Sequence, residues 1–119
     1  MHEYNFEKLE IWKLAIQLAV NVYKTTKKFP EEEKFGLVSQ LRRSASSIST
    51  NIAEGVARFS SKDKARFIEI AYGSTIEVLN HFLLSKELQF IDESELVFYR
   101  ETINELSNKI NAFYKNLKN

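Results

Sequence analysis

Leu96, Tyr99, Ile103, Leu106, Ile110, Phe113 and Leu117 recur at alternating steps of three and four, an unbroken apolar seam near the end of the chain. That is the a/d spacing of a left-handed coil, and it allows little besides a helix packed lengthwise against other helices. Asp92 and Glu95 have the spacing of a capping box at its start, and Ile91 stands where it can staple onto Leu96. Such a helix cannot stand alone in water. The rest of the chain must supply its partners.

It supplies three. With one Pro and three Gly the sequence has few breakpoints, and turn-like clusters fall at Phe29-Pro30, at Arg58-Phe59-Ser60-Ser61 and at Gln89-Phe90-Ile91-Asp92. The spacing therefore predicts four helices, over roughly 6–28, 33–57, 61–88 and 93–117. The first carries two apolar stripes: Leu9, Trp12, Ile16, Ala19 and Tyr23, and beside them Ile11, Ala15, Leu18 and Val22. The second buries Leu37, Leu41, Ala45, Ile48, Ile52 and Val56, with Pro30 and three glutamates making a favourable start. The third pairs Phe67, Ala71, Val78 and Phe82 with Ile68, Tyr72, Leu79 and Leu83, and Ser60 with Asp63 can cap it. A length of 119 residues suits one domain, 1–119. The predicted fold is all-α, an antiparallel up-down-up-down four-helix bundle with left-handed packing.

Composition excludes several classes. Without Cys there is no disulfide framework and no thiolate metal site or nucleophile. The first ten residues lack the apolar core of a signal peptide and no apolar run approaches a membrane span, so a cytoplasmic protein with no membrane role is expected. His2 and His81 are the only histidines. Glu77 and His81, four apart, give one contact and no metal cage, and His81 reads as a partly exposed helix residue. No Gly-rich phosphate loop, zinc signature or paired nucleophile and base is present. The expectation is a protein that is not an enzyme and holds no cofactor or metal.

The second helix is the unusual one. Between Gln40 and Gly55 it carries adjacent arginines, the hydroxyl residues Ser44, Ser46, Ser47, Ser49 and Thr50, and the ending Asn-Ile-Ala-Glu-Gly. Ser and Thr compete for backbone hydrogen bonds and are mediocre helix formers, so something other than propensity must justify them. Gln40, Ser44, Ser47, Asn51, Glu54 and Arg58 fall on one polar stripe beside the apolar one. The favoured reading is structural: small hydroxyls let a neighbouring helix approach, Gly73 and Ser74 face the stripe, and Asn51 with Glu54 satisfy buried partners. The sharper reading makes the stripe a subunit or ligand surface.

Several of these residues, taken in order, form a recognisable set. They are Phe6, Leu9, Trp12, Ala15 and Tyr23, then Phe29-Pro30, Glu33, Phe35-Gly36-Leu37 and Gln40-Leu41-Arg42-Arg43. Ser47-Ile48, Asn51-Ile52-Ala53-Glu54-Gly55, Arg58, Ala71 and Gly73-Ser74 complete it. In this the chain resembles the small bacterial four-helix-bundle family encoded within intervening sequences of 23S ribosomal RNA genes. That family is itself similar to the accessory variability determinant of diversity-generating retroelements. Two positions depart from the pattern: Ser49 stands where members often have Pro, and Ala57 where they often have Gly. The resemblance implies a ring-like homo-oligomer, pentamers among them, and, for relatives in retroelements, work with a reverse transcriptase and nucleic acid.

Charge admits two readings. One is a solvated face with salt bridges to glutamates of other helices, favoured for an isolated bundle. The other is a phosphate-binding patch, favoured once a ring repeats it. From Lys34 to Arg66 seven cations meet two acids, Glu54 and Asp63, the chain's one basic concentration. Arg presents paired donors that fit phosphate. Arg42, Arg43 and Arg58 are the first candidates for nucleic-acid contacts, and Lys62, Lys64 and Arg66 the second. With no base-reading module in the sequence, binding would favour shape and backbone, as in structured RNA or a DNA/RNA hybrid. Aromatic residues near the helix ends (Tyr4, Phe6, Phe29, Phe35, Phe59 and Phe90) read mostly as staples and end-caps. The competing expectation is a protein–protein interaction scaffold with no nucleic-acid role.

Overall fold

The computed structural model describes residues 1–118, the last of these without its side chain. Four α-helices follow one another: α1 (Glu10–Thr26), α2 (Leu37–Val56), α3 (Ser61–Glu87) and α4 (Glu93–Lys118), with no strand among the described residues. They form a four-helix bundle measuring 43 × 29 × 21 Å. Cross-contacts fix the antiparallel sense. Ser47 of α2 meets Ser74 of α3 while Arg58, just past the end of α2, meets Phe67. Glu10 at the start of α1 meets Lys109 late in α4, and Thr25 at its end meets Tyr99 early in α4. No described helix is long and apolar enough to cross a membrane.

Two helices start later than their apolar period suggests. The first is expected from Phe6, but Asn5–Lys8 winds into a 3-10 turn and Leu9 is extended, so α1 opens at Glu10 and closes at Thr26. The second is expected from Glu33. Glu31–Glu33 form only a 3-10 turn, and Gly36, at φ −108° and ψ −109°, breaks the backbone before Leu37. The Glu33 carboxylate then accepts the orphan amide of Leu37 at 3.2 Å, so the glutamate still serves the helix start from outside it.

The remaining ends follow capping chemistry. Ser60 accepts the Asp63 amide at 3.0 Å ahead of α3. Before α4, Asp92 accepts the Glu95 amide at 2.8 Å and Glu95 accepts the Asp92 amide at 3.0 Å, a complete capping box with Ile91 and Leu96 both buried behind it. After α3 the chain turns through Gln89 at φ 65°, and the Phe90 amide reaches back to the Ser85 carbonyl at 2.9 Å. This is a Schellman ending made with a glutamine where glycine is the usual choice.

The core is continuous. Ile11, Ala15, Leu18 and Val22 bury completely or nearly so, whereas Ile16 and Tyr23 of the neighbouring stripe lie exposed on the flank of α1. Leu96, Tyr99, Ile103, Leu106 and Ile110 are buried along α4, with Phe113 and Leu117 packed at its edge. Tyr99 stacks on Phe82 with ring centres 3.8 Å apart and shares a 2.6 Å hydrogen bond with Thr25. Burial pushes its phenol above the ordinary value, against the pull of that hydrogen bond.

Candidate nucleic-acid interface

The hydroxyl run of α2 is satisfied within the chain, with Ser44, Ser47 and Ser49 turned inward and Ser46 and Thr50 exposed. Ser44 donates to the Gln40 carbonyl at 3.0 Å, Ser46 to Arg43, and Ser49 and Thr50 to Ser46. Each hydroxyl thus satisfies itself on its own helix and leaves a thin face. Across that face Ser47 and Ser74 meet at 3.0 Å, and Asn51 donates to the Ser47 carbonyl and hydroxyl at 2.8 and 2.9 Å. Gly55 marks the tightest point: a Cβ there would stand 3.0 Å from Cβ of Phe67.

Three expectations about this stripe need correction. Asn51 bonds within its own helix, and Glu54 is exposed, so neither satisfies a buried partner on another helix. Gly73 does not face the stripe, because a Cβ there would meet nothing within 4 Å. Gln40 is also exposed, and the contacts this stripe makes with α3 are Ser47 to Ser74 and Arg58 to Phe67.

The six candidate cations do not form one patch. Arg42 turns onto α1: its Nε donates to Thr26 Oγ1 at 3.0 Å, a terminal nitrogen donates to the Tyr23 carbonyl at 3.3 Å, and its guanidinium lies 4.6 Å from the centre of the Tyr23 ring. This cation serves the C-terminal end of α1, where carbonyls lack helical partners. Arg43 is exposed. Arg58 lies sixteen residues beyond Arg42, roughly 24 Å along the helix axis, and its guanidinium stacks 4.4 Å from the centre of the Phe67 ring.

The second group gathers around the α2–α3 turn. Lys64 is half-buried and donates to the Val56 carbonyl at 3.4 Å, closing α2. Lys62 and Arg66 are exposed and form no ion pair or side-chain hydrogen bond among the described residues. Both line an open cleft of about 380 Å³ between α3 and the end of α4, with Ser61, Glu69, Tyr114 and Leu117. The Tyr114 hydroxyl donates to the Glu69 carboxylate at 3.3 Å, a bond between two of the cleft's lining residues. Tyr114 and Glu69 were not legible as site residues, since nothing in their spacing sets them apart from the rim of the α4 seam and a solvated helix face.

The aromatic residues near the helix ends divide. Phe29 and Phe90 pair with ring centres 5.4 Å apart, and Phe6 packs edge-on against Trp12 at 5.2 Å. Phe59 and Phe35 do not act as end-caps: their relative exposures are 103% and 89%. His81 also departs from expectation. It is buried rather than partly exposed, neither ring nitrogen has a hydrogen-bond partner among the described residues, and Nε2 stands 3.5 Å from the Glu77 carboxylate. No group of three or more His, Cys, Asp or Glu able to hold a metal occurs among the described residues.

The family model for the 23S rRNA-intervening sequence protein matches residues 7–112. The sequence matches no curated protein. Among solved structures, the chain is similar to a protein of unknown function from the S23 ribosomal protein family of Bacteroides thetaiotaomicron VPI-5482. The two share 21% identity and superpose with a TM-score of 0.79 over 88% of this chain and 98% of the other, a likeness of fold.

Proposed function

The chain belongs to the 23S rRNA-intervening sequence protein family, and on that premise we propose that it is a non-enzymatic accessory protein of the cytoplasm that binds structured RNA or a DNA/RNA hybrid. The observation that carries this reading is the pair Lys62 and Arg66, exposed, lining one cleft at the end of the bundle, and without an ion pair among the described residues. Phosphate neutralisation by such cations gives salt-sensitive, sequence-tolerant binding. A homo-oligomer, ring-like and pentameric by resemblance, would repeat the pair and multiply its contacts. A reverse transcriptase belongs to the same proposal as a protein partner.

Titration of a labelled structured RNA at several salt concentrations tests it. Affinity should fall steeply with salt, and replacing Arg58, Lys62 and Arg66 with Glu should weaken binding at unchanged helicity. Salt-independent binding, or none at low salt, overturns the reading. A second reading, a protein–protein scaffold without nucleic acid, is favoured by one feature: Ile16, Val20 and Tyr23 leave an exposed apolar flank along α1.

A further inference from the structure

Phe59 is fully exposed, and no part of the described chain covers it. A phenylalanine held in water forgoes the burial that ordinarily justifies the residue. Its surroundings are basic. Arg58 precedes it, and Ser60 and Ser61 lead directly to Lys62, the first cation of the adjoining cleft. Next on that wall is Arg66, with Glu69 and the half-buried Tyr114 beyond. At about 380 Å³ the cleft lies within the range of small-ligand sites, roughly 300–1,000 Å³.

The acids sort the possible ligands. Asp63 and Glu69 are the two carboxylates between Arg58 and Tyr72, and Glu69 already accepts from Tyr114. A phosphate is therefore directed to Lys62 and Arg66 and away from Glu69. Bases inside a duplex are stacked on both faces and cannot reach Phe59.

Resting on the function proposed above, we infer that the α2–α3 end of the bundle is a site for unpaired nucleotides. One base stacks on Phe59 and the adjoining phosphodiester lies on Lys62 and Arg66. The site distinguishes single-stranded from paired nucleic acid by stacking, and tolerates sequence because every base has a face.

The test compares a blunt, fully paired RNA stem with the same stem carrying a single-stranded tail, by fluorescence anisotropy. The full chain should bind the tailed stem roughly ten-fold or more tightly than the blunt one. Phe59→Ala should erase that preference and leave blunt-stem affinity unchanged, while Phe59→Trp should retain it, with indole fluorescence quenched on tail binding. Salt-sensitive binding of both RNAs without tail preference, or a preference that survives Phe59→Ala, overturns the site and leaves the proposed function standing. Binding of neither RNA at low salt overturns both.

Discussion

The guanidinium of Arg42 lies 4.6 Å from the centre of the Tyr23 ring, so the first of two adjacent arginines is a strut between α2 and α1. Arg43, one residue on, faces solvent. A 100° turn of the helix gives the two opposite employments.

Arg42→Ala should therefore lower stability by about 1.5–3 kcal/mol, the range for hydrogen bonds to charged groups, and leave nucleic-acid affinity unchanged. Arg43→Ala should leave stability within about 0.5 kcal/mol of wild type. Urea unfolding of the two single variants separates them, and equal losses would contradict the strut.

Gly55 and Gly73 should respond in opposite directions to alanine. At Gly55 the new methyl meets Cβ of Phe67 at 3.0 Å and the Lys64 carbonyl at 3.4 Å, so α3 must move. A loss of about 1–3 kcal/mol is expected, as for other overpacked sites. At Gly73 the methyl meets nothing within 4 Å. There the gain should be about 0.5–1 kcal/mol, from helix propensity alone. Thermal melts of both variants check the signs.

Gln89→Gly should stabilise the protein by about 0.5–1 kcal/mol even though it deletes a side chain. The left-handed penalty of roughly 1–2 kcal/mol is offset in part by glycine's greater unfolded-state freedom of roughly 0.5–1 kcal/mol. The residue is held at φ 65°, where a Cβ is penalised and glycine is not. A melting temperature no higher than wild type would count against the Schellman ending of α3.

Truncating Ile103 or Ile110 to Ala should cost roughly 2–5 kcal/mol each, because both are buried at the α4 seam and leave cavities. Denaturant midpoints measure it, and an unchanged midpoint would displace these residues from the core.

Stability should fall at both pH extremes, for separate reasons. The Glu95 amide, and after it the Ser94 hydroxyl, hold the Asp92 carboxyl below its ordinary value. Its contribution is present above the unfolded value of about 3.9 and is lost as pH falls through the folded one. Tyr99 is shifted upward by burial. For a phenol that sign means a contribution complete below about pH 10 and lost as pH rises through the folded value. Asp92→Asn should flatten the acid limb and Tyr99→Phe the alkaline limb of a stability–pH profile.

The helices were legible because burial imposes a period, and Leu96 to Ile110 needed nothing else. The starts of α1 and α2 were not. The apolar positions Phe6 and Leu9 keep helical spacing although their backbone does not, and Gly36 acts through its own dihedrals without disturbing any pattern. The site was legible in kind more than in place. A count of charges cannot see that Arg42 has an intramolecular employer or that roughly 24 Å separates it from Arg58. Nor does sequence distinguish the buried Phe29 from the exposed Phe59, since both are phenylalanines at turns and only tertiary packing separates them.

Along this bundle each helix packs most broadly on the one that precedes or follows it, and α1 touches α4 least. That joint is held by polar latches: Thr25 to Tyr99, Lys28 to Glu95 and Glu10 to Lys109. The partners lie between 67 and 99 positions apart in the chain, so their closure carries the largest entropic cost of any contact in the fold. Folding should accordingly run through the local hairpins, with the first and last helices meeting at the end, and hydrogen exchange should find that same joint opening first.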